Sequence, residues 1–197
     1  MNKKYQALLV FLVLSLALLC GCAGNSSEQP AETTPEPEAV SEPADSAEPS
    51  SEEDPIFITF EGTDLEGNPV SQEIFSQSRL TMVNVWATYC NPCLNEMPGL
   101  GELAAEYDPS EFRIIGIVSD VMEGEDQTLV ENLVRETGAN YSHLLANDSI
   151  GQAILSSVSA VPTTFFFGGD GAYLGGMVGA AEKADWEEII HGILEEQ

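Results

Sequence analysis

Residues 81–87 read Thr-Met-Val-Asn-Val-Trp-Ala, and three residues further the chain reads Cys90-Asn91-Pro92-Cys93. No other stretch constrains the fold as strongly. A mostly apolar run of this length is the pattern of a strand buried on both faces, as in sheets covered by helices. Beyond the cysteines, Leu94, Met97, Leu100, Leu103, Ala104 and Tyr107 recur at helical spacing. The spacing predicts a helix over 91–107, kinked near Pro98. The two cysteines therefore fall where a buried strand turns into a helix. There the helix dipole and unpaired N–H groups favour thiolate over thiol. The i, i+3 spacing puts both sulfurs on one face within disulfide reach. Pro92 falls in the first turn, where a missing N–H costs nothing. Such a pair can cycle between dithiol and disulfide by exchange with a partner.

Two structural readings of the same pair stand beside this one. A purely structural disulfide across so short a loop would constrain little of the unfolded chain. Half of a zinc site would need His143 and His191 to complete it, and these lie in different elements without ligand spacing. The strand–helix context favours the redox reading. Both histidines are read as structural.

The flanking sequence alternates strand and helix patterns. Ile56–Phe60 reads as a strand, and Leu65-Glu66-Gly67-Asn68-Pro69-Val70 carries turn chemistry, together an N-terminal hairpin. Residues 73–78 read as a short helix or loop, and 112–118 as a second buried strand. Residues 125–137 form an amphipathic pattern with Leu129, Leu133 and Val134 inward and Gly138 as its stop. A short strand at 141–145 and a short helix at 149–156 follow. Strands at 163–167 and 173–178 flank the turn Gly168-Gly169-Asp170-Gly171. A closing helix over 182–195 turns Trp186, Ile189, Ile190, Ile193 and Leu194 inward. The pattern implies an α/β domain with right-handed crossovers between parallel strands and a terminal antiparallel hairpin. The expected product is a mixed central sheet with helices on both faces.

Charge divides the 197 residues into three parts. The whole carries 33 acids, six bases and a formal net charge of −27. Residues 1–22 hold Lys3, Lys4 and no acid; Ala7–Leu19 is apolar apart from Ser15, which suits a signal peptide and is short for a membrane span. Residues 23–55 hold ten acids, no base and Pro30, Pro35, Pro37, Pro43, Pro49 and Pro55. With Val40 as its one large aliphatic, this segment cannot offset the entropy of folding and is expected to stay an extended, disordered tether. Residues 56–197 hold 23 acids against Arg79, Arg113, Arg135 and Lys183 and form the folded domain. So acidic a chain lacks the cations that nucleic acid or anionic lipid would require.

Two resemblances sharpen this. Leu19-Cys20-Gly21-Cys22 resembles a bacterial lipobox, which makes Cys22 the lipidated residue, places the domain outside the cytoplasm and holds it on the membrane by lipid. Val85-Trp86-Ala87-Thr88-Tyr89-Cys90-Asn91-Pro92-Cys93-Leu94-Asn95-Glu96-Met97-Pro98 resembles the active-site segment of TlpA/ResA-like thioredoxin-fold proteins. Val161-Pro162-Thr163-Thr164 resembles their second signature. The resemblance covers about 56–197 and implies a thioredoxin fold with an N-terminal hairpin and an inserted β-α unit.

For the site it implies Cys90 as the exposed attacking thiolate, Cys93 as the resolving thiol and Glu96 as the proton-shuttling carboxylate. It implies a cis Pro162 that makes Val161 present its backbone to a substrate strand. Asn84 stands where thioredoxins proper often hold a buried acid and cannot take a proton, which adds weight to Glu96. Trp86, Tyr89 and Pro92 complete the expected substrate face, with Trp86 read as core packing beside the site rather than a chemical participant; Tyr89 replaces the usual Trp. The implied activity is reduction of protein disulfides by a monomer without metal or cofactor. Electrons would come from a membrane thiol carrier of the CcdA/DsbD type. Apocytochrome c cysteines or a methionine sulfoxide reductase would be the targets. An oxidase or isomerase of the same fold and a redox-inactive binding lipoprotein are the alternatives. A thiol peroxidase would need Thr or Ser where Ala87 stands.

Overall fold

The computed structural model describes residues 54–197. The signal segment, Cys22 and all but the last two residues of the tether lie outside the described residues. From its N-terminal side, the described chain runs β1 (Glu61–Thr63), β2 (Pro69–Ser71), a 3-10 helix (Gln72–Gln77), β3 (Leu80–Trp86), α1 (Asn91–Glu106), β4 (Phe112–Met122) and α2 (Thr128–Thr137). It continues with β5 (Ser142–Ala146), α3 (Asp148–Ala153), β6 (Thr163–Gly168), β7 (Tyr173–Val178) and α4 (Lys183–Glu196). Five strands form one mixed sheet in the order β5-β4-β3-β6-β7. β3, β4 and β5 are parallel, as α/β crossovers require; β6 runs antiparallel to β3, and β7 antiparallel to β6. β1 and β2 pair as a separate antiparallel hairpin.

Every residue of β3 is buried, because it is the central strand and both of its faces are covered. Strand alternation divides its side chains. Val83 and Val85 join Phe60, Phe75, Ile115, Ile117, Leu144 and Ile150 on one face, beneath α3 and the 3-10 helix. Leu80, Met82 and Trp86 point to the other face, toward Leu100, Leu103, Val130, Trp186 and Ile190 of α1, α2 and α4. Helices thus lie on both faces, as the alternation predicts.

Three local expectations need correction. Residues 56–60 are not a strand. Phe57 makes one isolated bridge to Ala172, the Tyr173 N–H donates to Ile56 O at 2.8 Å, and the Phe60 N–H goes to the Gln72 side chain instead. Tertiary pairing overrides the β-propensity of these residues, and the hairpin begins at Glu61. In α2, Leu129 is 56% exposed and Val130 is fully buried. The inward stripe is Val130, Leu133, Val134 and Thr137, an equally good helical period with Leu129 at its margin. α2 also begins at Thr128, three residues later than expected, because β4 extends to Met122. The predicted stop is present: Gly138 caps α2 in the left-handed conformation at φ 70°. α1 runs through Pro98 as one element.

Candidate active site

The cysteine pair lies at the C-terminal end of β3. The turn into α1 is held by Asp120 of β4, whose carboxylate accepts from the Thr88 N–H at 3.0 Å and from the Thr88 hydroxyl at 2.5 Å. Cys90 is the N-cap of α1. Its sulfur accepts from the Cys93 N–H at 3.2 Å, and its carbonyl accepts from the Leu94 N–H at 3.1 Å. One N–H of the first helical turn, that of Cys93, is therefore aimed at the Cys90 sulfur, an arrangement that favours thiolate once the pair is reduced. Cys90 and Cys93 form a disulfide with Cα atoms 5.3 Å apart. Cys90 is 6% exposed and Cys93 is 0% exposed. Cys90 is thus the more accessible sulfur, but in the disulfide it is nearly covered rather than open.

Glu96 stands one turn further along α1 and is 6% exposed. Its carboxylate accepts from Asn84 Nδ2 at 3.0 Å and from the Ala181 N–H at 3.2 Å. Burial pushes its carboxyl above the ordinary carboxylate value. The Asn84 amide, the Ala181 N–H and the Trp186 indole N–H, the last without a hydrogen bond of normal geometry, pull the other way more weakly. A groove of about 590 Å³ lined by Pro92, Asn95, Glu96, Glu102 and Lys183 gives this buried carboxyl a route to solvent. A carboxyl so placed keeps its proton to higher pH than an ordinary carboxylate and can take one up and return it.

The Val161–Pro162 peptide is cis. Antiparallel register places this loop, just before β6, at the same end of the sheet as the cysteines. Val161 packs against the cluster that holds Cys90, Cys93 and Trp86. Tyr89 is 74% exposed beside them, and Pro92 is at the second position of α1. Trp86 is fully buried. It offers no surface to a substrate, which corrects its place on the expected binding face. It is a wall behind the sulfurs, because β3 is covered on both sides.

Sequence reasoning missed Asp120, which fixes the turn, and Asn84 as the residue that touches Glu96. An Asn in an otherwise apolar strand was the available signal. It placed His143 as a structural residue without finding that Trp86 Nε1–H donates to its Nδ1 at 3.2 Å. His191 is an exposed residue of α4, 3.4 Å from Glu195. Among the described residues no group of His, Cys, Asp or Glu could hold a metal ion.

A redox-capable Cys-x-x-Cys disulfide capping the helix after the central strand, opposite a cis-proline loop, defines the class: a thioredoxin-fold thiol–disulfide oxidoreductase. The chain belongs to the AhpC/TSA family, whose model matches residues 55–172. It is 29% identical over 186 residues to the thiol-disulfide oxidoreductase ResA of Bacillus thuringiensis subsp. konkukian, covering 94% of this chain and 96% of the relative. To ResA of Bacillus anthracis it is 30% identical over 143 residues, 72% of this chain and 76% of the relative. The crystal structure of a thioredoxin-family thiol:disulfide interchange protein from Chlorobium tepidum TLS matches with a TM-score of 0.62 and 26% identity. That match covers 71% of this chain and 97% of that one. The hydroxyl a peroxidase would need before its cysteine is missing, since Ala87 is there and fully buried.

Proposed function

We propose that the chain is a lipid-anchored, extracytoplasmic reductase of protein disulfides that works as a monomer. The observation that carries the exchange step of this reading is a buried carboxyl, Glu96, on the turn of α1 that follows the cysteine pair, while the reductive direction and the lipid anchor rest on the resemblances alone. In the reduced protein the Cys90 thiolate attacks one sulfur of a substrate disulfide and expels the other as a thiolate, leaving a mixed disulfide. Cys93 gives its proton to Glu96 and attacks Cys90 Sγ. This releases the second substrate sulfur and closes the Cys90–Cys93 disulfide. Two electrons pass to the substrate, and both of its sulfurs leave as thiols after protonation. The Val161 backbone before Pro162, with Tyr89 and Pro92, receives the substrate strand.

A membrane dithiol carrier of the CcdA/DsbD type returns two electrons to the disulfide. Cys22 keeps the domain beside that carrier. Apocytochrome c cysteines or a methionine sulfoxide reductase are the substrates this reading favours.

Trapping tests it. In Cys93→Ser, Cys90 should remain in a mixed disulfide with a protein partner identifiable by mass spectrometry, and Cys90→Ala should lose exchange entirely. Full activity in Cys90→Ala, or capture of small thiols alone, counts against the reading. A reduction potential near thioredoxin's, about −270 mV, supports the reductive direction, and one near DsbA's, about −120 mV, overturns it.

A further inference from the structure

His143 is a buried imidazole that the exchange steps do not use. It is 1% exposed and belongs to β5, two strands away from the strand that leads into the cysteines. Its reach depends on Gly116 of β4. In the sheet register Gly116 lies between Asn84 of β3 and His143 of β5. A Cβ at Gly116 would come within 2.1 Å of His143 Nδ1, so only glycine lets the ring cross β4. The ring thereby meets Trp86, whose Nε1–H donates to Nδ1 at 3.2 Å in an edge-on approach at 80°. At its other end Nε2 is 3.0 Å from the Ala139 carbonyl, which cannot donate, so Nε2 carries the proton and Nδ1 is free to accept. Tyr141 covers one face of the ring, with centroids 4.5 Å apart. Burial keeps the ring neutral, with its pKa lowered to about 4. Trp86 shares its buried cluster with Cys90 and Cys93.

We infer that His143 is a positioning residue of the redox site: it holds the Trp86 indole so that its one polar atom is engaged at β5 and only ring carbon faces the cysteines. The sulfurs then sit against a fixed apolar wall, which disfavours thiolate and supports the disulfide. Without the acceptor, the indole N–H is a buried donor lacking a partner, at a cost that drives it to turn toward another one. The sulfurs and the unpartnered Tyr141 hydroxyl are the polar groups packed in its cluster, and a donor turned to the sulfurs stabilises the reduced form. The inference rests on dithiol–disulfide exchange at Cys90 and Cys93, and on neither its direction in the cell nor its substrate.

The test is the exchange equilibrium with glutathione, read by alkylation of free thiols and mass spectrometry. His143→Leu should shift it toward the dithiol by about three- to ten-fold, the range one net hydrogen bond covers. Gly116→Ala, which displaces the ring from the other side, should shift it the same way. His143→Asn, whose side-chain oxygen takes the place of Nδ1, should restore the wild-type value. An unchanged equilibrium in folded His143→Leu, a shift toward the disulfide, or failure of Asn to rescue overturns the inference. Should the variants not fold, nitrogen NMR of the wild type decides. The Nε2-protonated tautomer and a Trp86 indole proton protected from exchange are expected. The other tautomer, or a freely exchanging indole, overturns the proposal. Loss of trapping in Cys93→Ser would count against the reductase reading while leaving this result intact.

Discussion

Glu96 and His143 are buried titratable groups whose pKa values move in opposite directions, because burial favours the neutral form of each. Burial raises Glu96, so the folded state holds its proton more tightly than the unfolded chain does. Its contribution to stability is therefore present below the ordinary carboxylate range and is lost as pH rises through the raised value. Glu96→Gln should melt higher than wild type at pH 7, with the gap closing toward pH 4.5. A gap independent of pH would contradict this. His143 has the reverse sign. Its folded value is lowered to about 4 from an ordinary 6.5. The stability it confers is complete above pH 6.5 and is lost as pH falls toward 4, on the order of 3 kcal/mol in all. Denaturant unfolding at pH 7 and pH 4.5 should give a larger loss for wild type than for His143→Asn. Equal losses would show that the ring is charged or exposed in the fold. The cysteines and Glu96 were legible as residue types at motif spacing. Asn84, Asp120 and Ala181 were not, because each acts through a partner at least twelve residues away.

At the level of elements, the site depends on how closely α1 and α2 approach. The left-handed cap that ends α2 puts the Gly138 carbonyl where a Cβ on Gly101 of α1 would come within 2.1 Å. The atom in the way is backbone and cannot swing aside. Gly101→Ala should therefore cost about 1–3 kcal/mol in urea unfolding, the usual cost of overpacking. A neutral or stabilising effect would mean that the helices can separate freely. The 3-10 helix has its own anchor. Phe75 is 2% exposed, stacks on Phe167 with centroids 4.4 Å apart and meets Phe60 edge-on. Elements of strong period, β3, α1, β6 and α4, were readable from their own residues. The segment 56–60 was misread because its backbone partners, Ala172, Tyr173 and Gln72, lie elsewhere in the chain. Leu129 was misread because two adjacent helical stripes fit the same apolar residues.

Across the molecule, the charge is unevenly placed. Arg79 and Arg113 stand at the starts of β3 and β4, the end of the sheet away from the cysteines, where they bind Glu111, Ser78 and Gln77. Lys183, near Glu96, is within ion-pair distance of Glu102, Glu106 and Glu187. The groove beside Pro92 is lined by Glu96, Glu102, Glu182 and Asp185 against Lys183 alone, a net acidic surface that steers cations and repels anions. The reduced protein should react faster with cystamine than with oxidised glutathione, and the ratio should shrink as salt rises. A ratio that salt does not move would remove steering as the cause.

The sequence by itself determined the alternation of strands and helices, the cysteine pair at a helix start and the carboxylate one turn on. Each of these is a property of residues near one another in the chain. The tertiary structure alone decided which polar groups meet behind the cysteines. Thr164, Asn84, Gly116 and His143 form one row across β6, β3, β4 and β5 because of the register of those strands. Periodicity reports which face of its own element a side chain takes. It limits register only to slips that keep the apolar face inward and does not say which residues of neighbouring strands stand opposite, and that register joins Trp86 to a histidine 57 residues away.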